Sequence, residues 1–247
     1  MLIVANWKSY VEDIERAKKL VAAGQKAART TTHDIVLAPP APFIGAFAPK
    51  NKSSVAFAAQ DVSATLGGAA TGETTASAYA TLGATYAIVG HSERRALGDT
   101  GAIVAEKLAH ALAQNLIPIL CVGEHERDRE GRYLSYVREE ITTAFAQLTP
   151  KERAKVIIAY EPLWAIGKTA ENAIAPHDLS EMVLYIRKVL SELLPGKNSM
   201  HTRVLYGGAV EADNIRDLAT NSGIDGFLIG HASADPVTFA ALVKQLP

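Results

Sequence analysis

The sequence predicts an α/β protein built as a single closed (β/α)8 barrel, and three observations carry that expectation. Eight short apolar runs alternate with longer amphipathic stretches from one end of the 247-residue chain to the other. Most of these runs are unbroken rather than alternating, the pattern of parallel strands covered on both faces. No linker rich in Pro, Ser or Gly divides the chain, so residues 1–247 read as one domain of the size that eight strand-helix units need. An open doubly wound sheet is the alternative. It lacks its usual support, because the first strand leads into NWKSY and no Gly-x-Gly-x-x-Gly follows it.

The apolar runs are LIVAN (2–6), IVLAP (35–39), VAFAAQ (55–60), YAIVG (86–90), IPILCVG (117–123), VIIAYE (156–161), RVLYGG (203–208) and GFLIG (226–230). Between them lie EDIERAKKLVAAGQKAA, GAIVAEKLAHALAQ, YLSYVREEITTAFAQL and HDLSEMVLYIRKVLSELL, each with apolar residues at three and four spacing and charges between. Helix ends are marked as well. Asp178 with Glu181 three residues on resembles a capping box, Asp235-Pro236 puts Pro at a first helical position, and Pro195-Gly196 closes a helix.

Composition narrows the partners. A formal net charge of −1, with its charges scattered, offers no basic stripe for nucleic acid and no polybasic anchor for a membrane. Small neutral or anionic partners remain. Cys121 is the single cysteine, so no intrachain disulfide can form, and a reducing, cytoplasmic setting fits. MLIVANWKSY holds only five residues before Asn6 and reads as a strand, not a leader or a membrane helix. The sequon at Asn51 reads as a surface turn.

In a parallel barrel the carboxyl ends of the strands line the active site. Those ends supply Asn6 and Lys8, Gln60, His91 with Glu93, Glu161, Gly207-Gly208 and Gly230. Each has a plain reading alone: Lys8 as a solvated charge at a helix start, His91 as a hydrogen-bonded turn residue. Glu161 is the most telling, since a carboxylate that completes a buried strand must be paired, solvated by a cleft or perturbed. Together, a Lys for an anion, a His and a Glu for proton movement, and amides in glycine turns suit isomerisation of a small phosphorylated carbonyl compound. The GKT at 167–169 is no P-loop, because the position that needs the first glycine is Pro162. The seven histidines have no metal-ligand spacing, and neither a metal nor a redox cofactor is expected.

ANWK at the start, VGHSERR (89–95), ILCVGE (119–124), AYEPLWAIG (159–167), YGGAV (206–210) and DGFLIGHAS (225–233) resemble, in order and spacing, the triosephosphate isomerase family. The resemblance spans essentially the whole chain. It implies the TIM barrel and exchange of a proton between C1 and C2 of dihydroxyacetone phosphate and glyceraldehyde 3-phosphate. By resemblance Glu161 is the base, His91 polarises the carbonyl, Asn6 and Lys8 complete an electrostatic cradle, and Glu93 orients the lysine. The phosphate would rest on amides at Gly167, Gly208, Ala209, Gly230 and His231. Pro162, Leu163, Trp164, Lys168, Thr169 and Ala170 would belong to a lid latched by Tyr206. A homodimer is also implied, with Thr71 reaching the partner's Asn6, and Glu73 pairing with Arg94 across the interface.

Three departures from the family pattern stand in the sequence. The lid reads GKTA where the family has Gly-Thr-Gly-Lys-Thr-Ala, two residues shorter. Ala209 replaces the serine of YGGS, and His231 replaces a glycine. Two other functions stay open at this point: a related isomerase or epimerase of a four-carbon sugar phosphate, and a non-catalytic binding barrel.

Overall fold

The computed structural model describes residues 1–165, 173–196 and 198–247. Eight strands close into one parallel barrel in chain order: β1 (Leu2–Asn6), β2 (Asp34–Ala38), β3 (Ala56–Ala59), β4 (Tyr86–Val89), β5 (Ile117–Val122), β6 (Ile157–Tyr160), β7 (Val204–Tyr206) and β8 (Gly226–Ile229). Seven of the eight strands fall within the apolar runs of the sequence, and β2 begins one residue before its run, at Asp34. The seam closes where β1 pairs with β8, Val4 opposite Leu228.

The helices outside are α1 (Ile14–Thr30), α2 (Ala41–Phe47), α3 (Ala76–Thr81), α4 (Ser92–Ala96), α5 (Gly101–Ala113), α6 (Arg132–Phe145), α7 (Pro150–Arg153), α8 (Pro176–Leu193), α9 (Asn198–His201), α10 (Ile215–Asn221) and α11 (Pro236–Gln245). Local chemistry starts them. The carboxylate of Asp13 accepts from the Arg16 N–H, Thr149 and Glu152 form a reciprocal capping box, and Asp235 accepts from Val237 and Thr238 behind Pro236. The expected box at Asp178 is corrected. Pro176 starts α8 two residues earlier, because its fixed φ and missing N–H suit a first helical position, and Asp178 lies in the first turn, where its charge favours the dipole.

Two apolar layers hold this shell together. Among the described residues, twelve buried side chains fill the barrel interior, including Leu2, Val4, Val36, Ile88, Ile119, Cys121, Ile157, Leu205 and Leu228. Residues of the opposite parity, such as Ile3, Leu37, Phe57 and Ile158, face the ring of helices. The parity matters for function, because continuing each inward series by one step leads to Asn6, Pro40, Gln60, Gly90, Gly123, Glu161, Gly207 and Gly230. The apolar filling ends there, and polar groups and glycines take over.

Candidate active site

Glu161 follows Ile157 and Ala159 in the inward series of β6, so the strand aims its carboxylate into the barrel mouth. It is 2% exposed. Its backbone is pinned by a bond from its N–H to the Val122 carbonyl. On one side lies Gly123, where an added Cβ would sit 1.9 Å from the Glu161 carbonyl oxygen; on the other lies Gly207, where a Cβ would come within 2.8 Å of its Cγ. Only glycine fits at either position.

His91 caps the N-terminus of α4. Its Nδ1 accepts from the backbone N–H of Glu93 at 3.1 Å, which leaves the ring proton on Nε2. That Nε2 lies 3.5 Å from Oε1 of Glu161, while the other carboxylate oxygen faces the Ser92 N–H at 3.4 Å. A proton acceptor and an N–H donor therefore converge on one point.

Lys8 is not at a helix start, so its plain reading as a solvated charge there does not hold. It sits in a turn after β1 with φ at +47°, a left-handed conformation that costs a residue with a side chain about 1 kcal/mol. Two contacts impose it: its N–H donates to Oδ1 of Asn6 at 3.0 Å, and Nε2 of Gln60 donates to its carbonyl at 2.9 Å. Its Nζ pairs with Oε1 of Glu93 at 2.5 Å, and its stem passes over Gly230, where a Cβ would stand 3.3 Å from Cε.

These groups line a cavity of about 230 Å³ together with Gly208, Ala209 and His231. Gly208 is tightly constrained, since a Cβ there would meet the Tyr206 hydroxyl at 2.3 Å. Burial raises the pKa of that hydroxyl, against the pull of the backbone N–H groups of Ile174 and Ala209. His231 opens a short 3-10 turn, His231–Ala234, and is not among the residues with positive φ, so a side chain is tolerated where the family has glycine. Its imidazole packs edge-on against Tyr10 at 5.2 Å.

Of the lid residues, Pro162, Leu163 and Trp164 precede or form a 3-10 turn at Leu163–Ala165. Gly167, Lys168, Thr169 and Ala170 lie outside the described residues. Thr71 and Glu73 are exposed on the long loop after β3, and Arg94 lies 2.9 Å from Asp61 of its own chain.

Sequence reading missed Glu124. This carboxylate is 1% exposed and takes hydrogen bonds from the Tyr160 hydroxyl at 2.8 Å, Nε1 of Trp164 at 2.8 Å and Nε of Arg127 at 3.2 Å. It fastens the turn at Leu163–Ala165 to the ends of β5 and β6. The signal was the same as for Glu161, an acid closing an apolar run. Cys121 is a buried interior thiol, held neutral by burial and by the neighbouring Glu161 carboxylate.

The family model for triosephosphate isomerase matches residues 1–246. The chain belongs to the triosephosphate isomerase family. It is 38% identical to the triosephosphate isomerase of Moorella thermoacetica over 98% of this chain and 97% of that protein. It is 39% identical to that of Roseiflexus sp. over 100% of this chain and 97% of the relative. The Thermus thermophilus isomerase is 43% identical over 78% of this chain and 77% of its own length. Among the described residues, no helix is long and apolar enough to cross a membrane.

Proposed function

We propose that the chain is a triose-phosphate isomerase, a single catalytic domain over residues 1–247 that interconverts dihydroxyacetone phosphate and D-glyceraldehyde 3-phosphate in glycolysis and gluconeogenesis. The observation that carries this reading is the convergence of Glu161 and the Nε2–H of His91 at 3.5 Å inside a cavity with Lys8 at its rim. Glu161 takes a proton from one carbon of the substrate and returns it to the next. The Nε2–H of His91 polarises the carbonyl oxygens as the enediolate forms, and Lys8 and Asn6 stabilise its negative charge. Pairing a carboxylate base with a neutral imidazole is the established illustration of this family's chemistry, not a new one. The phosphate lies on backbone amides at Gly208, Ala209, Gly230 and His231, joined by Gly167 when the lid over Pro162–Ala170 closes.

A lid two residues shorter, facing Ala209 where the family has a hydroxyl, closes with fewer bonds. Each neutral hydrogen bond lost weakens closure by about 0.5–1.5 kcal/mol. A lid that opens more readily releases enediolate, which expels phosphate in water to give methylglyoxal. A coupled assay with glyceraldehyde 3-phosphate and no added metal tests both readings. Isomerisation is expected; activity confined to four-carbon ketose phosphates would overturn the substrate. In the same assay, inserting Thr-Gly after Gly167 together with Ala209→Ser should lower the ratio of methylglyoxal to isomerised product, and an unchanged ratio sinks the latch.

The working unit is a homodimer in this reading. A groove of about 640 Å³ runs beside the catalytic cavity and shares Asn6, Lys8, His91 and Glu93 with it. A second copy of this chain supplies its occupant, the tip of the loop that carries Thr71, Glu73 and the 78%-exposed Leu66. The base of that loop is fixed, since Nζ of buried Lys107 bonds Asp61 at 2.7 Å and Asp99 at 2.6 Å. Light scattering at micromolar concentration should give twice the chain mass. A fully active monomer there would remove the partner from the site.

A further inference from the structure

A second cavity, of about 340 Å³, lies behind Glu161 and is lined by Arg95, Cys121, Gly123, His125, Tyr136 and Glu140 among others. Glu140 projects into it from α6, in the middle of the helix, where nothing in helix formation calls for a buried acid. Its Oε2 accepts from the Gly123 N–H at 2.8 Å, and its Oε1 lies 3.3 Å from Nε of Arg95. Arg95 in turn donates to the Gly90 carbonyl at 2.8 Å and to the Cys121 carbonyl at 3.3 Å. Gly90 directly precedes His91. Gly123 is the residue against which the Glu161 backbone packs.

We propose that Glu140 is a positioning residue for the reaction assigned above, one that clamps the ends of β4 and β5 through Arg95 and Gly123 and so fixes Glu161 against His91. The clamp depends on the carboxylate being ionised, because only the anion holds the guanidinium by charge. The groups facing it are Arg95 from α4 and Asp99 beyond it, Cys121, Glu124 and His125 at the end of β5, Glu161 at the end of β6, and Tyr136 and Glu139 on its own helix. Burial pushes the Glu140 pKa up to about 7, with Glu161 and Glu124 adding to the rise and Arg95 and the Gly123 N–H opposing it.

The sign follows. Below that pH Glu140 is neutral, Arg95 loses its charged partner, and the hold on the ends of β4 and β5 that keeps Glu161 against His91 slackens. Above it the clamp is charged and the catalytic pair is held in register. In the parent, kcat should rise about 3- to 10-fold between pH 6 and 8. Glu140→Gln keeps an acceptor for the Gly123 N–H and removes the charge, so it should hold kcat near its low-pH value across that range, with KM unchanged.

The measurement is kcat at saturating substrate from pH 5.5 to 8.5, because the substrate phosphate, with its second pKa of about 6, titrates in kcat/KM. Carbon NMR of the Glu140 carboxyl in the parent gives an independent midpoint if the variant fails to fold. A kcat inflection that persists in Glu140→Gln, a parent profile that is flat, or a carboxyl midpoint away from the inflection overturns the clamp. A parent that does not isomerise triose phosphates at any pH instead overturns the function on which the clamp rests.

Discussion

Replacing Glu161 by Gln is expected to lower kcat by about 10²- to 10⁴-fold while KM stays close to that of the parent. The amide matches the carboxylate in shape, so it still meets the Ser92 N–H and still fits between Gly123 and Gly207. What it lacks is a lone pair basic enough to take a carbon-bound proton. With the side chain only 2% exposed and a glycine packed on each flank, no other carboxylate can swing into its place. Stability should be unchanged or slightly higher, because the substitution removes a desolvated charge. Steady-state kinetics beside thermal unfolding separates the two effects; near-parent kcat in a folded variant would reassign the base.

Lys8→Met should produce the second large loss, about 10²- to 10³-fold in kcat/KM, with KM raised as well. In the proposed reaction the lysine offers its charge both to the dianionic phosphate and to the enediolate oxygen, so removing it should weaken ground state and transition state together. Glu93 loses its partner, but its side chain is 58% exposed and water takes over the charge. The left-handed turn is imposed by Asn6 and Gln60 rather than by the ammonium group, so methionine inherits the same backbone. Unfolding should therefore shift by less than about 1 kcal/mol. A variant with parent kinetics, or one that loses its fold along with its activity, would contradict this account.

The fold was legible because burial on both faces of a strand leaves an unbroken apolar run, and all eight runs of this chain are strands. The chemistry at the strand ends was legible for a related reason. Asn6, Gln60 and Glu161 interrupt a pattern that would otherwise stay apolar, and an interruption is visible in one dimension. The turn that carries Lys8 was not legible, because its neighbours in sequence do not reveal that Gln60 holds its carbonyl from another strand. Glu140 was passed over for the same cause, and unlike Glu124, which closes an apolar run, it looks like a helix-surface acid among Arg138 and Glu139 until α6 packs its inner face toward the β5 turn. Asp178 shows the converse: a correct local motif lost to the stronger preference of Pro176 for the first position of α8.

Four of the eight positions that continue the inward series above the barrel filling are glycines, Gly90, Gly123, Gly207 and Gly230. Every single-base change in a glycine codon that alters the residue adds a Cβ. At Gly123 and Gly207 that first carbon already collides with Glu161, so the floor beside the base has no neighbouring sequence that still works. At Gly123 and Gly207 the floor already carries the smallest residue, so no substitution at those two positions can deepen it. An altered substrate range must therefore be sought above, in the turns around Ala209 and His231, where a side chain is already accommodated. In this barrel the versatile part of the pocket and the inflexible part are separated by height, with the inflexible part at Gly123 and Gly207 reaching up to Gly208 and the versatile part above it.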